Sequence, residues 1–386
     1  MENLKIYDMC VFKILYYTTL GRLSPIEHLE KYHLEIKGRN MNQKNEFPTF
    51  PAGCESLLCK HLTQEVFEEL KDKKTANGFT LADAIHSGVV NPDSGIGVYA
   101  GDLESYTLFA KLFDPIIQEY HGFSPKDKHK SNLNPDMLDA PNLDPKGEYI
   151  VSTRIRVGRN VANLPLGPAI TNEQRNEIEK NVSQSLQAML GSLAGDYYPL
   201  KGMNDDVKST LIADHFLFKT GDRFLEAAGL NRNWPEGRGI YHNDEKTFLV
   251  WINEEDQLRI ISMQMGGNIL EVFTRLSSAI KEIEKKVAFS YSEHLGYITS
   301  CPTNLGTAMR ASVHIKLPKL AQDMSAFKAI TDKHFLQIRG IHGEHSESEG
   351  GIYDISNKRR LGVTEVECVQ DMINGVKELI AKEKSL

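Results

Sequence analysis

The sequence predicts an α+β protein: a small all-helical N-terminal domain, then a large C-terminal domain with an antiparallel sheet flanked by helices. Three observations predict it. Between about residues 54 and 122, apolar residues recur at helical spacing. From Tyr149 onward, short runs with period-two alternation or β-branched enrichment take over, with helical stretches among them. Neighbouring runs such as TFLVWIN and LRIISMQ are joined by EEDQ alone, which favours antiparallel pairing.

Residues 1–50 read as an irregular extension. Its apolar run MCVFKILYYTTL is interrupted by Lys13, preceded by Glu2 and Asp8, and followed by no small-residue cleavage site, so a targeting role is the weaker reading. Residues 51–122 form the helical domain. In SLLCKHLTQEVFEELKDKK, the residues Leu58, Leu62, Val66 and Leu70 make a helical stripe. ESYTLFAKLFDPIIQEYHG predicts a helix pair interrupted at Pro115. The turn-rich VVNPDSGIGVYAGD lies between these helices. Residues 123–148, proline-rich and polar, read as a surface linker. Residues 149–386 form the large domain, whose strand candidates are IVSTRIRV, TFLVWIN, LRIISMQ, GYITSC, MRASVHIKL and FLQIR. In NILEVFTRLSSAIKEIEKKV the apolar stripe runs through Ile269, Val272, Phe273, Leu276, Ile280 and Ile283 behind Asn268 as N-cap. Thr364 and Glu367 have capping-box spacing at the start of the last helix.

Composition narrows the functional classes. The net charge of −7 argues against nucleic acid as the main partner. No run of about 18 uncharged apolar residues occurs, so no membrane span is predicted. Five cysteines without regular spacing suggest neither a disulfide framework nor a zinc site. A reducing, cytoplasmic setting is therefore expected, with Cys301 a free thiol.

Side chains alternate across a strand. IVSTRIRV puts Ser152, Arg154 and Arg156 on one face, and MRASVHIKL puts Arg310, Ser312 and His314 on one face. Arg259 begins another strand, and Arg339 ends FLQIR. A solvated sheet face would also use lysine and glutamate; repeated arginine beside small residues suits a cradle for a polyphosphate, because the planar fork grips phosphate oxygens in pairs. The common nucleotide motifs are missing: there is no GxxxxGK[ST], and Gly95-x-Gly97-x-x-Ala100 follows NPDS rather than a strand. Glu254, Glu255 and Asp256 form an acidic turn that could be a plain hairpin tip. IHGEHSESEGG could be a loose surface loop or a lid. Cys301 follows a strand candidate and precedes Pro302, with Thr303 placed to donate to the sulfur; this favours thiolate. With His314 as base it would read as a hydrolase nucleophile. Beside two carboxylates it would instead recognise a planar cation.

CPTNLGT, NEED, STRIR, RASVH and RGIHGEHSESEGG, in that set, resemble the phosphagen (guanidino) kinases over about residues 54–386. The resemblance implies reversible transfer of the γ-phosphoryl group of ATP, carried with Mg²⁺, to a guanidino nitrogen, with ADP as the other product. It implies nucleotide contacts from Ser152, Thr153, Arg154, Ile155 and Arg156, from His215 and Arg259, from Arg310, Ala311, Ser312, Val313 and His314, and from Arg339, Gly340, Ile341, His342, Gly343 and Glu344. Glu255 and Glu344 would align the guanidinium, and Cys301 would contact it as thiolate. Ser94, Gly95, Ile96, Gly97, Val98 and Tyr99 match the loop that receives the far end of the substrate. Asp93 and Arg223 match a pair that ties the domains together when closed. No protein ligand cluster for Mg²⁺ stands out, so the ion is expected on the nucleotide. The short loop and Met265 resemble members acting on arginine, with taurocyamine or another guanidino compound as the alternative. A monomer is the expectation.

Overall fold

The structure is a computed structural model that describes residues 46–214, 216–218, 220–340 and 350–386. The N-terminal extension up to residue 45 lies outside the described residues.

Among the described residues, four short helices and one longer one come first: α1 (Leu57–His61), α2 (Gln64–Leu70), α3 (Leu81–Val90), α4 (Leu103–Leu108) and α5 (Ala110–His121). The stripe expected to run as one helix is split, because Thr63 turns extended and its hydroxyl caps α2 through the Val66 N–H. Phe67, rather than Val66, joins Leu58, Leu62 and Leu70 in the core. The second expected break is also displaced. Pro115 sits inside α5, and the chain breaks at Phe109. The hydrogen bond that Pro115 cannot donate is tolerated because Leu112, Phe113, Ile116 and Ile117 are all buried around it. Residues 122–149 are irregular apart from one 3₁₀ turn at Pro135–Met137.

The remaining elements are β1 (Ile150–Arg159), α6 (Asn172–Gln187), β2 (Gly195–Pro199), α7 (Asp205–Ala213), α8 (Arg223–Ala227), β3 (Gly239–Asn243), β4 (Phe248–Ile252), β5 (Leu258–Met265), α9 (Ile269–Glu284), β6 (Tyr291–Ser292), β7 (Gly296–Tyr297), β8 (Met309–Lys316), α10 (Met324–Lys333), β9 (Leu336–Arg339), β10 (Ile352–Asn357) and α11 (Glu365–Ser385). Eight strands form one antiparallel sheet in the order β2-β3-β4-β5-β1-β8-β10-β9. GYITSC contributes only the two residues of β7, which pair with β6 outside this sheet. Strands β2, β3 and β10 were not expected. Asn268 caps α9, and Thr364 and Glu367 close a capping box on α11.

The sheet has two unlike faces. Ile155 and Val157 of β1 and Ala311, Val313 and Ile315 of β8 pack under α6, α9, α10 and α11 in one continuous core. Burying each such aliphatic side chain stabilises the fold by about 1.5–3 kcal/mol. At the β3–β4 end, the other face is covered by Leu211 of α7 and Phe218, which pack on Ile240 and Trp251. At its centre that face carries the arginines. Among the described residues, no helix is long and apolar enough to cross a membrane.

Candidate active site

The register assembles the cradle. Arg156 faces Arg310 across β1 and β8, Arg154 faces Ser312, and Ser152 faces His314. Gly158 faces Arg259 across β1 and β5. Directly opposed residues share a face, so Arg154, Arg156, Arg259 and Arg310 project to the same side. Asp354 extends the row, opposite His314 on one side and Arg339 on the other. Thr153, Ile155, Ala311 and Val313 are buried on the far face, so only their backbone can serve a ligand here.

Burial and mutual repulsion destabilise the charge that this face collects. Burial, then Arg259 and Arg310, pull the Arg154 guanidinium down to about 10. Burial, then Arg259, Arg154 and Arg310, hold Arg156 well below the usual arginine range. Two arginines are neutralised internally. Arg310 Nη2 donates to Asp354 Oδ2 at 2.5 Å, both groups being almost wholly buried. Arg259 Nη2 bridges Glu254 at 2.8 Å and Glu255 at 3.0 Å. Burial opposes the Arg259 charge, but Glu254, Glu255 and Asp256 hold it above its usual value. Among the described residues, Arg154 and Arg156 make no ion pair.

The acidic turn is placed by its neighbour. Asp256 Oδ1 accepts from Asn160 Nδ2 at 2.8 Å and from the Ser300 N–H at 3.2 Å. It thereby ties the β4–β5 turn to the end of β1 and to the residue before Cys301. Glu255 then lies between Arg259 on Oε2 and Asn304 Nδ2, 3.2 Å from Oε1. Burial pushes Glu255 up to about 7 against the pull of Arg259, with Asp256 and Glu254 raising it further. Glu255, Arg156, Arg259, Asn304, Arg310 and Arg360 line one small cavity.

The thiol differs from expectation. Thr303 Oγ1 does lie 3.1 Å from Cys301 Sγ. Yet burial, followed by the Glu255 charge, pushes the thiol up to about 12. Burial therefore favours the Cys301 thiol over the thiolate, outweighing the Thr303 hydroxyl and backbone N–H that favour the charged form.

The loop Ser94–Tyr99 reaches the same place. The Ala100 N–H donates to Ser300 O at 2.8 Å, and Tyr106 Oη donates to Thr299 O at 2.7 Å. Leu57 and Leu58 of α1 donate to Gly95 O and Ile96 O, each at 3.0 Å. Gly97 has φ +79°, and a Cβ there would come within 2.7 Å of Leu58 Cβ, so this contact requires glycine. Asp93 and Arg223 form a two-pronged pair across the domains, with Arg223 Nη1 donating to Asp93 Oδ1 at 2.8 Å. Cys54 and Cys59 are bridged as a disulfide at the start of α1. This overturns the expectation of no disulfide: five residues apart, they meet because the chain folds back through the Ser56 cap. Cys301 and Cys368 remain free and buried.

His215, Ile341, His342, Gly343 and Glu344 lie outside the described residues. Asn304, Asp354 and Arg360 were missed. Asn304 sits inside the quoted CPTNLGT, but nothing in that string shows which carboxylate it meets.

The ATP:guanido phosphotransferase C-terminal catalytic domain matches residues 177–386, and the N-terminal domain of the same family matches residues 52–118. The chain belongs to the ATP:guanido phosphotransferases, the phosphagen kinases. This phosphagen kinase is 58% identical over 334 residues to arginine kinase Lit v 2 of Penaeus vannamei, covering 86% of this chain and 94% of that protein. Arginine kinase Scy s 2 of Scylla serrata shows the same identity and coverage. Among solved structures, lombricine kinase superposes with a TM-score of 0.84 at 40% identity, covering 89% of this kinase and 95% of that chain. The duplicated taurocyamine kinase of Schistosoma mansoni superposes with a TM-score of 0.81 at 43% identity, covering 86% of this kinase and 46% of that chain. The kinase is thus an α+β enzyme of the phosphagen family.

Proposed function

We propose that this phosphagen kinase transfers the γ-phosphoryl group of MgATP reversibly to the guanidino group of arginine. The observation that carries the reading is the meeting of Glu255 with Arg156, Arg259 and Arg310 in one cavity, which sets a cation-gripping carboxylate against an anion-gripping face. The greater identity to arginine kinases than to the lombricine and taurocyamine enzymes supports arginine.

In the forward direction a guanidino nitrogen bonds to the γ-phosphorus as the bond to the β–γ bridging oxygen breaks. The nitrogen sheds a proton, and ADP leaves with the bridging oxygen. Such a transfer needs in-line alignment and charge neutralisation more than covalent help. Arg154, Arg156, Arg259, Arg310 and Arg339 hold the phosphates and offset the spreading charge. His215, Ser152 and His314 assist on the nucleotide. Glu255 pairs with the guanidinium and, poised near 7, is suited to take the shed proton. Glu344 would align the guanidinium together with Glu255. The loop Ser94–Tyr99 receives the substrate's far end, and the Asp93–Arg223 pair holds the domains closed. Among the described residues, no group of three His, Cys, Asp or Glu could hold a metal. Mg²⁺ would come bound to the nucleotide, and would supply screening of the phosphate charge there.

Cys301 lies against the guanidinium as a positioning contact. Cys301→Ser should lower kcat by about 10- to 100-fold through misplacement of the acceptor. Mass spectrometry of the working enzyme should find no phosphocysteine; isolating one would contradict this role.

The test of substrate is ADP formation with MgATP and arginine, taurocyamine, glycocyamine, lombricine or creatine. Preference for arginine is expected. Preference for taurocyamine would move the substrate and keep the chemistry, and inactivity with all five would refute the reading.

A further inference from the structure

The Glu255 carboxylate is held on two sides, and one holder is itself held. Asn304 Nδ2 donates to Glu255 Oε1 at 3.2 Å. On its far side, Asn304 Oδ1 accepts from Arg360 Nη1. Arg360 Nη1 also donates to Thr303 O at 3.2 Å. A guanidinium only donates, and an ionised carboxylate only accepts. Between the two, an amide has one satisfactory orientation: oxygen toward Arg360, NH₂ toward Glu255. Arg360 therefore decides which end of Asn304 meets the carboxylate.

The backbone gives this arm a firm base. The Thr307 N–H donates to Arg360 O at 2.9 Å. Gly306 runs so close beneath that a Cβ there would fall 2.3 Å from Arg360 O. The whole segment 303–307 is thus stitched to Arg360 at both ends. Arg360 also lines the cavity with Arg156, Arg259 and Arg310, and its Nε is buried without a partner. Despite that company, among the described residues no hydrogen bond links its side chain to the sheet face; Nη1 donates to Thr303 O and Asn304 Oδ1.

We infer that Arg360 is a positioning residue for phosphoryl transfer, acting through Asn304 to orient the Glu255 carboxylate toward the guanidinium. The inference rests on the reading that Glu255 pairs with the guanidino substrate. A misoriented carboxylate would still leave the nucleotide held by its arginines, so the loss belongs on the acceptor side.

The test compares Arg360→Met, Arg360→Lys, Asn304→Ala, the double variant Arg360→Met/Asn304→Ala and Glu255→Gln. Each is assayed for kcat, for KM of arginine and of ATP, and for the pH profile of kcat/KM for arginine. Arg360→Met should lower kcat by about 10- to 100-fold, since small misplacements carry such losses. It should raise KM for arginine and leave KM for ATP within about twofold of wild type, and Arg360→Lys should restore part of the loss. The acid limb of the pH profile should move to higher pH, because a lost donor no longer favours the ionised carboxylate. Adding Asn304→Ala to Arg360→Met should cost little more, as the two act in series.

A rise confined to KM for ATP would overturn the inference and make Arg360 a phosphate contact. So would an unmoved acid limb with fully additive losses. If Arg360→Met unfolds, Arg360→Lys decides in its place: a raised KM for arginine and a shifted acid limb with KM for ATP unchanged support the inference, and an unmoved limb with a raised KM for ATP overturns it. Failure of the parent reading looks different: Glu255→Gln would then retain its kcat.

Discussion

Glu255→Gln should lower kcat by about 10²- to 10⁴-fold, the range that a positioned acid–base group supplies, while changing KM for ATP little. Glutamine keeps the volume and can still accept from Asn304 or Arg259, so packing is retained. It loses the charge that pairs with the guanidinium and the capacity to take its proton. The pH dependence should separate these roles from a structural one. Burial holds the Glu255 carboxyl near 7 in the free enzyme. Below that pH it is protonated and cannot pair with a cation, so kcat/KM for arginine should fall as pH drops through about 7. A bound guanidinium favours the ionised form, so the same limb in kcat should lie at lower pH. Glu255→Gln should abolish the limb. A variant with normal kcat and weakened nucleotide binding would contradict the assignment.

Arg156→Met should have the second largest effect, and stability should not follow activity. Arg156 stands at the centre of the cradle, opposite Arg310. Removing one preorganised charge that faces a transferring phosphoryl group costs about 10²- to 10³-fold in kcat. Yet burial, with Arg259, Arg154 and Arg310 behind it, already disfavours its charge. Replacing it with an uncharged chain of similar length relieves that repulsion. The ligand-free variant should therefore show a Tm equal to or above wild type, as expected where function is kept at the expense of stability. The gain in Tm on adding ATP should be larger in wild type, since only a ligand that binds the native state stabilises it. A variant with lower ligand-free Tm and near-normal kcat would make Arg156 a structural residue.

The arginine face was legible because strands alternate. Arg154, Arg156, Arg310, Ser312 and His314 fall on one side in the structure, as their spacing requires. The partners that complete the site were not legible, because they come from separate turns. Asn304 reaches Glu255 from a residue separation of 49, and Arg360 reaches Asn304 from 56. Strand β10 hid behind its polarity: Asp354, Ser356 and Asn357 are buried because each has work inside, Asn357 Oδ1 accepting from the Ala311 N–H at 2.8 Å. Strand β2 carries half-exposed residues at the sheet edge and shows no alternation to find. The break at Thr63 reflects its cap on the Val66 N–H, while at Phe109 no side chain caps the new helix and Pro115 is carried inside it. For Cys301, neighbours in sequence pointed to thiolate, while burial set by distant residues decided for thiol.

The internal pairing of Arg310 with Asp354, and of Arg259 with Glu254 and Glu255, has a consequence for which anions the empty enzyme admits. The carboxylates are counter-ions built into the chain, present beside their arginines at very high effective concentration. On the proposed reading, ligand entry is an exchange of ions rather than the filling of a hole. A lone phosphate or chloride must displace a tethered competitor and offers one contact in return. A nucleoside triphosphate carries several charges on one covalent frame and reaches Arg154 and Arg156 in the same event. Valence, more than size, would then be the sieve at this door.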